Sequence, residues 1–184
     1  TRHHDGYCLW DTQYTDYSSA CQAPKRDFVR EYVEAFRAAG LRVGLYYSLL
    51  DFRLPGWIDG PERDPEGWAK AKQYVYDQVR ELLTNYGKID VIWFDGLWPR
   101  KAAELESRAL IEIIRGLQPE ILINDRLEWP QFSYYWQLAG HPGVPKEEEI
   151  GDFGTAEQGI YAKPGYLWES CQTSSWRLWG YPRG

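Results

Sequence analysis

The sequence is poor in the features that mark disulfide-rich, metal-binding or membrane-spanning proteins. Its three cysteines, Cys8, Cys21 and Cys171, are too few and too scattered for a disulfide framework or a zinc site, so we expect free thiols. No apolar run approaches the roughly 20 residues of a membrane span, and the first residues lack the apolar stretch of a signal peptide. We therefore expect a soluble chain without a membrane partner, and its compartment stays open.

Dense blocks of charge are also scarce. The net charge of −6 is spread over interspersed acids and bases, and the one dense run is Lys146 to Glu149. A nucleic-acid-binding domain would instead carry a concentrated basic patch. The charge pattern therefore argues against nucleic acid as a partner.

Phenylalanine is the scarcest of the three aromatic residue types, with 6 Phe against 10 Trp and 14 Tyr. Tryptophan and tyrosine carry a polar group that needs a partner at the edge of a site or in water. This usage favours a cleft lined with rings, whose usual ligands are sugars or nucleobases. A large core that uses tryptophan is the alternative.

Short apolar runs alternate with amphipathic segments along the chain. The apolar runs predict buried strands at Leu41–Leu50, Lys88–Gly96 and Pro119–Arg126. The amphipathic segments predict helices at about Lys25–Gly40, with Phe28, Tyr32 and Ala35 or Phe36 at helical spacing, at about Pro65–Tyr86, and at about Arg100–Leu117. This order is typical of a parallel α/β protein, and we predict a single domain over residues 1–184.

Polar or aromatic residues follow each predicted strand, in the segments YYS, WFDG and NDR. Parallel α/β barrels and open sheets build their active sites at these carboxyl ends of strands. The pattern therefore predicts that Asp95 of WFDG lies at the carboxyl end of a strand, and it leaves the role of this residue open. The loop after it lacks the GxGxxG and GxxxxGK patterns of nucleotide sites, which favours a barrel over a dinucleotide-binding fold.

Two carboxylates are candidates for catalysis. Asp95 ends an apolar strand. Glu157 lies in the segment GDFGTAEQGI, where it follows a short glycine-rich loop and sits among small residues. Two carboxyl groups facing one aromatic cleft are the minimum apparatus for glycoside hydrolysis. The alternative is that Asp95 caps the following helix and Glu157 is a solvated loop residue.

Two adjacent histidines, His3 and His4, open the chain. Neighbouring side chains on an extended chain point in opposite directions, so both could face one ligand only at a bend or bulge. As metal ligands they lack a third partner at a usual spacing, and we predict no metal site. Neutral imidazoles instead suit hydrogen bonds to sugar hydroxyls.

The segment HHDGYCLWDTQYTDY closely resembles the corresponding segment of the α-L-fucosidases of glycoside hydrolase family 29. The resemblance continues in order through PKRDFVREYVEAFRAAGLRVGLYYS, VIWFDG, INDR, GDFGTAEQ and YLWESCQTSSWRLWGY, and covers nearly the whole chain. It implies a (β/α)8, TIM-barrel-like catalytic domain with no cofactor and no metal.

The resemblance also implies roles for individual residues. Asp95 matches the nucleophile, and Glu157 matches the general acid/base of the branch whose motif reads like TAE. Glu169 is the competitor for the acid/base role and is otherwise a sugar-binding or structural carboxylate. The remaining matches are to sugar-contacting positions: His3, His4, Tyr46, Trp93 and Arg126.

The implied function is that of a retaining, exo-acting α-L-fucosidase that removes terminal fucose from oligosaccharides or glycoconjugates. A non-catalytic carbohydrate-binding protein or an inactive remnant is the alternative. A complete barrel takes about 250 residues, whereas this chain begins at the histidine motif and stops soon after the last matched segment. We therefore expect a partial barrel that lacks its first and last segments. It is either a fragment of a longer gene product or a shortened form that self-associates into a homo-oligomer to cover its strand edges.

Overall fold

The computed structural model describes residues 1–128, 150–157, 165, 167–173 and 179. The helices are α1 (Phe28–Ala38), α2 (Pro55–Arg63), α3 (Pro65–Asn85), α4 (Ala102–Leu105) and α5 (Ser107–Leu117), with a 3-10 helix at Asp125–Leu127. The strands are β1 (Gly44–Ser48), β2 (Val91–Asp95), β3 (Leu122–Ile123), β4 (Phe153–Glu157) and β5 (Leu167–Cys171). Strands and helices alternate as predicted.

The strands are parallel and follow one another in chain order. One sheet has the order β1-β2-β3, and its register pairs Ser48 with Asp95. The second sheet consists of the parallel pair β4-β5. A single bridge between Asn124 and Phe153 joins the two sheets. All carboxyl ends therefore point the same way, as in a parallel α/β protein.

Successive residues of the central strands β1 and β2 face opposite sides of the sheet, and one of these sides is the apolar core. Leu45, Tyr47, Ile92 and Phe94 are buried in the apolar core together with residues of α1, α3 and α5. Because side chains alternate along a strand, the residues between them project to the opposite face. That face carries Tyr46, Trp93 and Asp95.

Two segments differ from the predicted pattern of strands. The run at Pro119–Arg126 forms a strand only at Leu122–Ile123 and then turns into the 3-10 helix that carries Arg126. The residues directly before Glu157 were predicted as a short loop, and they form strand β4 with it. In both cases the pairing of neighbouring strands decides the outcome, and a single segment does not reveal its neighbours.

The helices differ from the prediction in three ways. Helix α1 buries Val29 and Val33, whereas Phe36 of the predicted face is 38% exposed. The segment predicted as one helix from Arg100 divides at Glu106, which adopts a left-handed conformation with φ 58°. Helix α2 was not predicted, because Gly60 and Pro61 interrupt its pattern and kink it.

The remaining expectations concern cysteines and membranes. All three cysteines are free, as predicted. Among the described residues no helix combines the length and the apolar character needed to cross a bilayer. The charged run from Lys146 to Glu149 and the residues after Trp179 lie outside the described residues.

Candidate active site

The chain bends at the two histidines. The backbone N–H of Gly6 donates to the carbonyl of His3 at 3.0 Å, and the two imidazole rings lie 4.1 Å apart between centroids. Gly6 has φ +79°, and a Cβ there would overlap the carboxylate of Asp51, so the turn requires glycine. The bend that both histidines need in order to face one ligand is present, and it brings both rings to the carboxyl ends of β1 and β2.

Asp95, the last residue of β2, lies where three side chains converge. The Tyr46 hydroxyl donates to its Oδ2 at 2.8 Å, and Nη1 of Arg126 donates to its Oδ1 at 3.2 Å. Nε2 of His4 lies 3.6 Å from Oδ2. These partners compensate the cost of a carboxylate at the end of a buried strand.

Asp95 does not cap the next helix, which excludes that alternative. Helix α4 begins at Ala102, with Lys101 as its N-cap residue. The chain leaves β2 through Gly96, which has φ +71°, and a Cβ there would come within 2.9 Å of Leu50 and 3.1 Å of the His4 ring. Glycine thus lets the backbone turn away while the Asp95 side chain stays in the site.

Arg126 connects the two carboxylates singled out in the sequence. Its Nη2 lies 3.0 Å from Oε2 of Glu157, and its Nη1 contacts Asp95. Its Nε donates to Oγ1 of Thr155 at 2.8 Å, and its guanidinium lies 4.7 Å from the ring centroid of Trp93. The fork of donors on one planar group therefore sets the positions of both acids.

The protonation of His4 follows from its neighbours. The Ser48 hydroxyl donates to the carbonyl of Leu50 at 2.6 Å, so its oxygen accepts from Nδ1–H of His4, also at 2.6 Å. Burial, then the neighbouring His3, lowers the pKa of His4 despite the opposing charge of Asp95. A neutral His4 therefore presents the lone pair of Nε2 toward Asp95, and a hydroxyl between the two could donate to either.

Burial and charge also act on two partners of Asp95. Burial, followed by the charge of Asp95, raises the pKa of Tyr46 well above its usual range, so its hydroxyl remains a donor. Burial lowers the pKa of Arg126, but Asp95 and Glu157 outweigh this effect and raise it. Both groups therefore keep their protons beside the Asp95 carboxyl group.

Three rings form a wall beside Asp95. The ring of His3 stacks on Tyr46 at 5.6 Å between centroids, and Tyr46 stacks on Trp93 at 5.5 Å with an interplanar angle of 22°. Nε1 of Trp93 donates to Oε1 of Glu169, which ends the row. Such a surface suits the apolar face of a sugar.

The structure brings all eight predicted site residues into one contact network at the carboxyl ends of the strands. Glu157 ends β4 and pairs with Arg126, although its side chain is 39% exposed. It is therefore not a free, solvated loop residue. Glu169 lies on the adjacent strand β5, in register with Thr155. Both candidates for the acid/base therefore border the same network.

Sequence reasoning missed several residues of the site. Ser48 orients His4, and Thr155 orients Arg126 while donating to Oδ1 of Asp125 at 2.7 Å. Phe52 and Trp98 place their rings edge-on to His4 at 6.1 and 5.3 Å. Position at the end of β1 was an available signal for Ser48. Thr155 lies in the middle of β4, and the two rings lie in loops, so none of these three residues carried that signal.

The structure corrects the expectation that the histidines lack a third metal-ligating partner. Donor atoms of His3, His4 and Asp95 all lie within 4.8 Å of one another. The guanidinium of Arg126 occupies the same carboxylate, and a positive charge at 3.2 Å opposes a bound cation. The arrangement suits a neutral, hydroxyl-bearing ligand better than a metal ion.

The chain is similar to known proteins over nearly its whole length. The family described as alpha-L-fucosidase matches residues 1–184. Alpha-L-fucosidase 1 of Arabidopsis thaliana is 34% identical over 201 aligned residues, which cover 94% of this chain and 38% of that protein.

Two solved structures are similar over most of the chain. Alpha-L-fucosidase isoenzyme 1 from Paenibacillus thiaminolyticus superposes with a TM-score of 0.72 at 38% identity, and covers 93% of this chain and 43% of its own. A GH29 α-L-fucosidase from Bacteroides thetaiotaomicron was trapped as a covalent intermediate with 2-fluoro-fucosyl fluoride. It superposes with a TM-score of 0.76 at 25% identity, and the match covers 93% of this chain and 40% of that chain. This chain thus spans about two fifths of the length of its relatives. The match over the whole chain shows that it belongs to the α-L-fucosidase family.

Proposed function

We propose that this chain carries the catalytic centre of a retaining, exo-acting α-L-fucosidase, built on part of a (β/α)8 barrel in a single domain. One observation carries the proposal: Asp95 at the tip of β2 and Glu157 at the tip of β4 both contact the guanidinium of Arg126. A retaining glycosidase needs two carboxyl groups about 5–5.5 Å apart across the scissile bond. Two carboxylates on one guanidinium are close enough to act on one sugar.

Asp95 is the proposed nucleophile. Its carboxylate attacks the anomeric carbon of an α-L-fucoside, and the bond to the leaving oxygen breaks as the fucosyl-enzyme forms. Support comes from its position at a strand tip and from the similar Bacteroides enzyme trapped as a covalent intermediate. Tyr46 and Arg126 donate hydrogen bonds that orient the carboxylate, and His4 accepts a hydrogen bond from a sugar hydroxyl.

Glu157 is the proposed acid/base. It gives a proton to the leaving oxygen in the first step and removes one from water in the second. A carboxylate paired with arginine has to give up that ion pair before it carries a proton. We therefore expect the bound sugar to draw Arg126 away from Glu157. Glu169, which accepts from Trp93, is assigned to sugar binding.

Turnover of a nitrophenyl α-L-fucoside tests the proposed function. Hydrolysis with α-fucose as the first product, observed by proton NMR, is the result expected of a retaining enzyme. Binding of fucose without turnover would support the carbohydrate-binding alternative. The absence of both would overturn the assignment of the site.

Leaving-group dependence tests the two glutamates against each other. Protonation matters most when the leaving group is poor, because a good leaving group departs without help. Glu157→Ala should therefore lose roughly 10²-fold or more in kcat on a fucosyl disaccharide and a smaller factor on a nitrophenyl fucoside. Glu169→Ala should affect both substrates alike. The reverse pattern would transfer the acid/base role to Glu169.

A further inference from the structure

The side-chain amide of Asn124 completes the hydrogen bonding of β2 beside the nucleophile. Strand β3 pairs with β2 only at Leu122 and Ile123, whereas β2 continues to Asp95. The amide fills this gap, because the N–H of Phe94 donates to Oδ1 of Asn124 at 2.8 Å and Nδ2 donates to the Phe94 carbonyl at 2.9 Å. One fully buried side chain thus supplies both the acceptor and the donor that a longer β3 would supply.

This substitution frees the following residues to leave the sheet. Directly after Asn124 the chain enters the 3-10 helix Asp125–Leu127, which brings Arg126 against Asp95. If β3 continued as a strand, Arg126 would remain in the ladder. If the chain turned without the amide, both polar groups of Phe94 would be buried without a partner, which is unfavourable.

Asn124 is therefore connected to both partners of the Asp95–Arg126 contact. It holds the peptide unit immediately before Asp95, and it precedes Arg126 by two residues. Its own backbone bridges to Phe153 at the start of β4, the strand that ends in Glu157. We propose that Asn124 is a positioning residue that sets the geometry of the nucleophile against Arg126. This inference rests on the proposed function.

Gln118 offers a matched control at the other end of β2. Its Oε1 accepts from the N–H of Ile89 at 2.7 Å, and its Nε2 donates to the carbonyls of Leu83 and Gly87 at 2.7 and 2.9 Å. It is also a side-chain amide that holds backbone groups, but it lies at the end of β2 away from the site. Asn124→Leu and Gln118→Leu remove the same kind of interaction at the two ends.

Kinetics separate positioning from stability. Asn124→Leu should lower kcat on a nitrophenyl α-L-fucoside by roughly 10- to 100-fold, with KM within about twofold, because small displacements of reacting groups lower rates by such factors. Gln118→Leu should lower the melting temperature and leave kcat unchanged. Equal kcat in the two variants would overturn the proposal. If Asn124→Leu does not fold, Asn124→Asp, which keeps the acceptor for Phe94 and loses the donor, replaces it with the same criterion.

Amide hydrogen exchange gives a readout that does not depend on activity. The Phe94 N–H should exchange slowly in the parent chain and in Gln118→Leu, and at least about tenfold faster in Asn124→Leu. The side-chain Nε–H signal of Arg126 in NMR should shift only in the Asn124 variant. An inactive parent chain would overturn the proposed function, and these two signals would still decide the inference. An unchanged Phe94 exchange rate or an unshifted Arg126 signal would overturn it.

Discussion

Strand β2 has an aspartate at each end, and the two are used differently. Asp90 directly precedes the strand and Asp95 ends it, and each side chain is 17% exposed. Oδ2 of Asp90 accepts from the backbone N–H of Val43 at 2.8 Å, which pins the start of β1 to the start of β2. Its Oδ1 lies 4.0 Å from Nη1 of the exposed Arg42, and no closer side-chain contact to Asp90 is found in the described part of the chain. The hydrogen bonds to the Asp95 carboxylate there come instead from side chains.

Equal exposure of the two side chains means that burial alone does not single out Asp95 as the candidate catalytic carboxylate. A backbone N–H belongs to the fold and cannot move to a ligand without disrupting the sheet. The hydroxyl of Tyr46, the imidazole of His4 and the guanidinium of Arg126 can each exchange a contact with Asp95 for one with a sugar. A carboxylate held by side chains is therefore available for chemistry, whereas one held by the backbone supports the structure.

The largest expected effect comes from exchanging the two aspartates for alanine. Asp95→Ala should lower kcat on an aryl α-L-fucoside by roughly 10³-fold or more, because the covalent step loses its proposed nucleophile. Azide should restore turnover by attacking from the vacated side, with β-fucosyl azide as the product. Asp90→Ala should lower stability and leave kcat within about threefold of the parent. Near-native kcat in Asp95→Ala would show that Asp95 is not the nucleophile.

The next effect separates two arginine–carboxylate contacts. Arg126 spans Asp95 and Glu157, whereas Arg115 on α5 pairs with Asp152 outside the site. Lysine keeps the charge but presents a single point of contact, so Arg126→Lys should lower kcat by roughly 10²-fold. Arg115→Lys should lower only the melting temperature. Similar kcat values in the two variants would show that the contact with Asp95 is structural.

A smaller effect is expected from two neighbouring tyrosines of β1. The Tyr46 hydroxyl donates to Asp95, while the Tyr47 hydroxyl donates to Oε1 of Gln78 at 3.0 Å within the core. Tyr46→Phe removes a hydrogen bond to a charged group and should lower kcat by about tenfold. Tyr47→Phe should cost about 1 kcal/mol of unfolding free energy without changing kcat. Steady-state kinetics and thermal melts on both variants check this. A loss of kcat in Tyr47→Phe and not in Tyr46→Phe would contradict the view that Tyr46 faces the site and Tyr47 the core.

The smallest effect is a pH dependence at the site end of β2. Burial, then His3, lowers the pKa of His4 below the ordinary 6.5, while the charges of Asp95 and Asp5 oppose the shift and that of Arg2 adds to it. The unfolded chain then binds a proton before the folded chain does, so this contribution to stability is present above about 6.5 and is lost as the pH falls through the lowered pKa.

Thermal melts at pH 7 and pH 5 measure this contribution. His4→Gln should reduce the fall in melting temperature between the two pH values. Tyr47→Phe, which removes no group that titrates near pH 6, should leave that fall unchanged. A larger fall in His4→Gln than in the parent chain would mean that the pKa of His4 is raised in the folded state.

Some features of the fold were readable from local patterns. The helix at Pro65–Asn85 and the strand that ends in Asp95 follow from periodicity and from the abrupt end of an apolar run. Helix α1 was predicted in the right place with the wrong buried face, because bulky Phe36 and smaller Val33 both fit an amphipathic pattern. Which of them faces the sheet depends on where the sheet lies.

The sequence by itself determined the parallel α/β class, the position of Asp95 at a strand end and the family resemblance, because these depend on spacing and residue type along the chain. Only the tertiary structure decided that Arg126 spans Asp95 and Glu157 and that Asn124 replaces a stretch of β3. Those contacts join residues about 30 positions apart, and they depend on strand length and register, which arise from pairing between segments. The physical reason is that a hydrogen bond needs both partners in place.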